Sequence, residues 1–480
     1  MALIILIPAF ACWFVLARSS ARQALLDVYL PALLLLPQYY VLRLPHTPPM
    51  SFSDMAILPI GFAMIFGYIR RWRLDWMDLW VLLYAASCGL SEGLSNQLAN
   101  GDWVYIFSAN SATSDQLSTN LANGALMFIG RVLSMVLPYM AGKLLIEGAV
   151  VDGQPMRKKL VERLLTLLAI VAVISVFDFL TKGSIWQKVI GRFFPTQDVG
   201  WIPQSRWGFG RIQGPFGHAI LAGMIFLIGF SYCLWLRRVY PDWGTRKIFQ
   251  GSKLTVRGLL LGAIVAGLLM AQSRGPWIGV GLALVFGMLM RAMSAVKAAA
   301  VFLAFLSLFS IAAYYYGKQY TDRDMNQASN EEQRNAIYRR QLLENYFPLV
   351  RERKAFGWGV TDYPKINGQI SIDNQYLLLA VTQGFVGLGF FLLIAAGTGL
   401  RLLRMLSRPL QPDDRLLVFA HLSVLIGLLT TLSTVYMGEQ VVMLFFLIAG
   451  WVQGMHPQSA TVQALGAPAQ QQLRFRRVLV

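Results

Sequence analysis

The sequence predicts an all-α integral membrane protein of about 12–13 transmembrane helices with a large, partly helical external loop. Two of the three observations behind this are compositional: 56% of the 480 residues are hydrophobic and 14% charged, and mean hydropathy is +0.52. A soluble chain of this length does not have that balance. The third is that the apolar residues fall into runs of roughly 20, the length a helix needs to cross a hydrocarbon core of about 30 Å.

The runs lie near 3–17, 25–44, 51–69, 77–95, 121–146, 161–181, 217–236, 258–273, 276–293, 296–317, 374–400, 416–434 and 437–454. The first is short and has no basic residues before it, which suits a short membrane helix better than a cleaved signal peptide. The net charge of +18 would suggest nucleic acid in a soluble protein. Here it distributes by side: the connections 18–24, 70–75, 147–163, 237–257, 291–297 and 401–415, with the tail, hold 24 of the 42 Lys and Arg residues. These connections alternate along the chain, as cytoplasmic ones do. The segment 96–120, on the other face, has no Lys or Arg. The C-terminus is then cytoplasmic, and the Ala- and Gln-rich tail from Pro457 cannot bury enough surface to fold alone. No partner role for nucleic acid is expected.

Cys12, Cys88 and Cys233 sit singly in apolar runs, so neither a disulfide framework nor a zinc site is expected, and four scattered histidines add no metal motif. No phosphate-cradling glycine loop accompanies the spans, so ATP is not the evident energy source and no cofactor is expected. There is no repeat of 20–50 residues and no inverted duplication, which weakens a carrier reading.

Two external segments depart from the rule that positive charge avoids that side. Residues 182–212 carry Lys182, Lys188, Arg192, Arg206 and Arg211 against Asp198. They also hold Trp186, Phe193, Phe194, Trp201, Trp207 and Phe209. Such aromatics either anchor at the headgroup level or stack on sugar rings while the arginines hold phosphate.

The second segment, 318–370, is too long for a plain connector. It contains its own helix: Ser329 and Glu332 fit a capping box, and Ile337, Leu342, Leu343, Tyr346 and Phe347 form an apolar stripe that Pro348 stops. Arg334, Arg339 and Arg340 project from it, either as a solvated face or toward the membrane. Gly357-Trp358-Gly359 makes a turn, and Asp373, Asn374 and Tyr376 then open the next span. Asp373 either caps that helix or acts as a general base for a hydroxyl.

Ser273-Arg274-Gly275-Pro276 breaks one long apolar stretch on the external side and predicts a tight helical hairpin. An arginine close to hydrocarbon needs a partner, and an anionic ligand is a natural one. Arg131, about ten residues into its span, is a functional candidate on the same ground, with Asp178 and Glu439 as possible structural partners for such charges.

Taken in order, these residues resemble the bacterial O-antigen ligase and polymerase superfamily, integral-membrane glycosyltransferases with a GT-C-like architecture. The resemblance spans roughly 200–395. It rests on Arg211-Ile-Gln-Gly214-Pro-Phe-Gly-His218, on Ser273-Arg274-Gly275, and on the 53-residue loop with Arg334 or Arg339, Gly357-Trp-Gly359 and Asp373-Asn374. On that basis the chain divides into an N-terminal bundle (1–200), a catalytic region (201–400) containing the loop 318–370, C-terminal helices (401–456) and the tail (457–480).

The resemblance implies a multi-pass protein of the bacterial inner membrane with the large loop periplasmic. It also implies an undecaprenyl-pyrophosphate-linked oligosaccharide substrate and an inverting, metal-independent transfer. Arg211, Arg274 and Asp373 are the catalytic residues so implied, with Arg334, Arg339, Arg131, Trp207, His218, Asn374 and Tyr376 as substrate-binding residues. Members that ligate glycan to lipid A core usually carry a histidine where this chain has Asp373, which favours a polymerase building a surface or exopolysaccharide. A ligase, a peptidoglycan polymerase of the shape and division family, and a flippase or carrier for lipid-linked sugars are the alternatives. Membrane lipids, a chain-length regulator or other export proteins are the partners implied.

Overall fold

The computed structural model describes residues 2–68, 72–95, 121–197, 204–322, 327–361, 363–366, 368–369 and 371–456. The segment 96–120, Asp198, Trp201 and the tail 457–480 lie outside the described residues. Every expected span overlaps a helix. In chain order these are α1 (Ile7–Arg18), α2 (Ala21–Ala24) and α3 (Leu30–Leu35) joined by a π-helical turn, α4 (Phe52–Tyr68) and α5 (Trp76–Ser95). Next come α6 (Leu121–Arg131) and α7 (Leu137–Leu145), also joined by a π turn, then the strands β1 (Val150–Val151) and β2 (Gln154–Pro155), and α8 (Met156–Thr181). A short α9 (Ile185–Ile190) and the strands β3 (Ser205–Arg206) and β4 (Phe209–Gly210) precede α10 (Ala219–Val239), α11 (Val256–Met270), α12 (Arg274–Ala292) and α13 (Ala295–Thr321). The extramembrane α14 (Glu331–Glu352) and then α15 (Gln375–Leu406), α16 (Pro412–Leu432) and α17 (Glu439–Gly454) complete the chain.

Six of these helices are long and apolar enough to cross a membrane, and five more are shorter apolar helices. This is an all-α integral membrane protein. Its outward face is apolar, as contact with lipid requires: Phe10, Phe66, Val173, Leu308 and Ile311 are all exposed. The core gathers where α7, α10, α16 and α17 meet. There Tyr232 hydrogen-bonds the His421 ring at 2.8 Å, and Trp451 packs against both rings. Tyr139 donates to Asp78 at 2.7 Å and Lys143 pairs with the same carboxylate, so these membrane-buried polar groups are matched.

Three expectations need correction. The span predicted at 25–44 is helical only to Leu35. Pro37 has no N–H to continue it, and the Gln38 amide donates to the carbonyls of Ala32 and Leu36 at 2.8 and 2.7 Å. The break at 271–273 does not make a helical hairpin: α11 packs on α8 and α10, whereas α12 packs on α16 and α10.

Thirdly, α14 does not stop at Pro348 but runs to Glu352. Its cap is Asn330, which accepts from Gln333 N at 2.7 Å while the Gln333 side chain accepts from Ser329, a reciprocal cap one residue later than expected. Leu342, Tyr346 and Val350, four residues apart, bury against Leu377, Ala380 and Val381 of α15, and this packing carries the helix through the proline. Leu343 and Phe347 of the predicted stripe are exposed.

One device ties the loop to the bundle. Within α15, Gly384 takes φ +65°, interrupting the helix. The segment after α14 fills the gap with its own backbone: Trp358 N and Gly359 N donate to Val381 O and Thr382 O, and Phe385 N donates to Lys354 O at 2.7 Å. Gly357 and Gly359, both at positive φ, make the turn the sequence predicts there. From α5, the Glu92 carboxylate accepts from Val360 N and Thr361 N at 2.7 and 3.2 Å.

Candidate functional site

A cavity of about 930 Å³ opens where α10 and α12 begin, between the β3–β4 hairpin, the turn joining α11 to α12, and α14. Its floor is built from an awkward piece of backbone. Gln272, in the turn, takes φ +47°, a left-handed conformation a non-glycine residue adopts only when its surroundings hold it. The holding groups are two arginines. Arg206 donates to Gln272 O at 2.8 Å, and Arg211 donates through its two ends to Ala271 O at 3.4 Å and Ser273 Oγ at 2.8 Å, with Gln204 as a further partner. Burial, with Arg206 adding repulsion, pushes the Arg211 guanidinium down to about 10. A bound anion would oppose both effects by favouring the charged guanidinium.

The hairpin above the floor turns through Trp207 and Gly208, at φ +53° and +85°. This two-residue turn with both φ values positive matches the twist of paired strands. It holds the Trp207 indole out over Trp277, ring centroids 6.2 Å apart and nearly parallel, with Trp207 62% exposed. A flat, exposed aromatic at the rim of a polar cavity is the surface on which a sugar ring stacks.

Arg274 opens α12, where the helix dipole already favours an anion. Its neighbour Gly275 is required by space, because a Cβ there would lie 2.7 Å from the Thr434 hydroxyl in the loop after α16. The Arg274 guanidinium pairs with Glu332, which comes from the first turn of α14. Two turns further along the same face of α14, Arg339 also lines the cavity, with Asn335 and Ala336 between them. Burial lowers the Arg339 pKa, Asp373 opposes this, and Arg206 and Arg274 add to it. The cavity is therefore short of negative charge.

Asp373 lies across from Arg339. Burial raises its carboxyl above the ordinary range, offset by the Ser371 hydroxyl, which donates at 2.9 Å, and by the Arg339 charge. It does not cap α15. Asn374 does, accepting from Tyr376 N and Leu377 N at 3.0 and 3.1 Å, so the side chain expected to meet substrate is spent on the helix end.

Of the residues the sequence singles out, the cavity thus gathers Arg211, Arg274, Arg339, Asp373, Trp207 and His218. His218 also caps α10, its Nδ1 accepting from Ile220 N at 3.2 Å. Four lie elsewhere. Arg334 is exposed on another face of α14, and Asn374 serves the cap. Tyr376 donates its hydroxyl to Leu429 O at 2.7 Å, and Arg131 pairs with Glu439 at 3.2 Å beside α17.

Sequence reasoning missed the positions of Glu332 and Asn335, and named Arg206 only as one of the basic residues of 182–212. Glu332 looked like a capping residue, and only the shift of the cap to Asn330 and Gln333 frees its carboxylate to face Arg274. Among the described residues no group of three His, Cys, Asp or Glu side chains is arranged to hold a metal ion.

Residues 259–392 match the family model described as O-Antigen ligase. This part of the chain is similar to O-antigen ligase domains. The match covers just over a quarter of the sequence, including Ser273-Arg274-Gly275, the whole of α14 and Asp373, and it begins after Trp207, Arg211 and His218. The match links this part of the chain by similarity to the membrane ligases and polymerases of that superfamily. No curated protein matches the chain.

Proposed function

We propose that the protein polymerises undecaprenyl-pyrophosphate-linked oligosaccharide repeat units into a surface or exopolysaccharide, at the periplasmic face of the inner membrane. The observation carrying this reading is the convergence of Arg206, Arg211, Arg274 and Arg339 on one cavity whose lining carboxylates are Asp373 and Glu332. Such a cavity suits a substrate that brings its own negative charge, and pyrophosphate is both that charge and a leaving group.

In the reaction, the bond between the anomeric carbon and the pyrophosphate oxygen breaks and its electron pair leaves with the pyrophosphate. The guanidinium groups of Arg211, Arg274 and Arg339 stabilise the charge that grows there. The hydroxyl of a second lipid-linked glycan forms the new bond from the opposite side, inverting the centre, and its proton passes to the Asp373 carboxylate. The raised pKa of Asp373 makes it a stronger base than an ordinary carboxylate. Trp207 offers a stacking face for the incoming sugar. Fixed guanidinium groups provide the charge stabilisation that a metal ion would otherwise supply.

The test is a reaction of the purified protein with synthetic repeat units on undecaprenyl pyrophosphate, without ATP or added metal, resolved by product size. A ladder of products is expected. Transfer only to lipid A core offered in parallel would replace polymerase by ligase, and no transfer at all would return the question to a carrier of lipid-linked sugars.

A further inference from the structure

A second large recess lies at the opposite end of α10 from the candidate site. It occupies about 1100 Å³ between α10, α12 and α16. The three helices are in contact with one another, and at this end their surfaces leave a groove whose floor includes the buried Trp235 and Met290. Three arginines line it: Arg237 and Arg238 from the last turn of α10, and Arg415 from the first turn of α16, its guanidinium 5.7 Å from the Phe419 ring. All three are exposed, and none has a carboxylate within ion-pairing distance among the described residues. The adjacent Asp414 is taken by Arg157 at 2.7 Å. An independent observation comes from Trp235: it is 3% exposed, yet its indole N–H has no hydrogen-bond partner. A buried donor left unmatched in this way costs stability unless a ligand meets it.

We propose that this groove is a binding site for an anionic glycerophospholipid of the leaflet facing away from the candidate site. One acyl chain lies along the groove, the phosphodiester rests on Arg237, Arg238 and Arg415, and the Trp235 N–H donates to an oxygen at the glycerol level. The apolar groove alone would accept any lipid tail. The charge selects: three guanidinium groups gathered at one end of the groove favour a net-negative headgroup over a zwitterionic one. The inference stands on the membrane-spanning bundle and is independent of the polymerase reading. It also gives the basic end of α10 a task besides setting orientation.

The experiment uses the full-length protein, delipidated in detergent and titrated with phosphatidylglycerol or with phosphatidylcholine of the same chains, bound lipid being counted by native mass spectrometry. One phosphatidylglycerol is expected to bind about tenfold or more tightly than phosphatidylcholine, given the attraction that basic residues near an anionic headgroup contribute. Arg237→Gln, Arg238→Gln and Arg415→Gln together should erase that preference, while Arg246→Gln, Lys247→Gln and Lys253→Gln in the neighbouring connection should keep it.

Because the triple variant could fail to insert, Gly287→Phe gives a second handle. No atom lies within 4 Å of a Cβ built at Gly287, a residue that lines the groove, so the added side chain starts from open space. It should weaken both lipids with the arginines intact. Equal affinity for the two lipids, a preference that survives the triple substitution, or undecaprenyl phosphate displacing phosphatidylglycerol at lower concentration would overturn the proposal.

Discussion

The candidate site has two walls that hold their arginines in different ways. On the bundle wall, Arg211 is fixed by Gln204, Ala271 and Ser273, and in return keeps the strained turn at Gln272 in place. On the loop wall, Arg339 and Glu332 ride on α14, and Glu332 occupies Arg274 across the cavity. The first wall is preorganised, its geometry built before any substrate arrives. The second is an exchangeable contact, in which a carboxylate stands where a phosphate oxygen would bind. On the proposed reading, the bundle wall fixes where the anion binds, and on the loop wall the anion takes the place of Glu332 at Arg274.

Substitutions can break this division. Arg211→Ala should have the largest effect, since it removes a guanidinium and also unties the turn that carries Ser273 and Arg274. Transfer rate should fall by about 10³-fold, the upper range for losing one group that stabilises a developing anion. Arg211→Lys should recover little, because a lysine cannot serve Ala271 and Ser273 at once.

Asp373→Asn should lower the rate by about 10²-fold, the scale of a lost general base. The pH profile separates this role from a structural one. With the wild-type carboxyl raised by burial, activity should climb with pH through a range above that of an ordinary carboxylate, as the base form appears. The Asn variant should lack that limb.

Glu332→Gln should sharpen the comparison in the other direction. Without the carboxylate, donor no longer competes for Arg274, so KM for lipid-linked donor should fall several-fold, about the effect of one exposed ion pair, while kcat holds or drops slightly. A raised KM would mean that Glu332 helps to bind substrate. The smallest effect is expected from Arg340→Ala. This arginine pairs with Asp322 at 2.8 Å, away from the cavity, and its rate should stay within about twofold, as for other surface ion pairs.

The membrane class and the helix positions were legible because apolar length and the alternation of basic connections are local signals. The site was legible in outline for a related reason: an arginine at a helix break, as in Ser273-Arg274-Gly275, needs a partner wherever the break folds. What stayed hidden depends on contacts far apart in sequence. The break of α15 at Gly384 was not foreseen, although Thr382-Gln383-Gly384 interrupts the apolar run there, since its cause is the backbone of residues 354–359 filling the gap. The choice between Arg334, Arg339 and Arg340 needed the rotation of α14, which Leu342, Tyr346 and Val350 set by packing on α15. Whether Asp373 caps α15 or faces the cavity stayed open, and Asn374 was expected at the substrate, because either residue type can cap a helix and only the backbone geometry decides.

The most direct test is the product ladder made from undecaprenyl-pyrophosphate-linked repeat units by the Arg274→Ala and Arg274→Lys variants, at protein levels and monodispersity matched to wild type. If Arg274 receives the pyrophosphate, the Ala variant stops polymer growth and the Lys variant stays far below wild type, for want of a bidentate contact. A wild-type ladder from Arg274→Ala would contradict the account, because the cavity would then have lost its central cation without loss of the reaction.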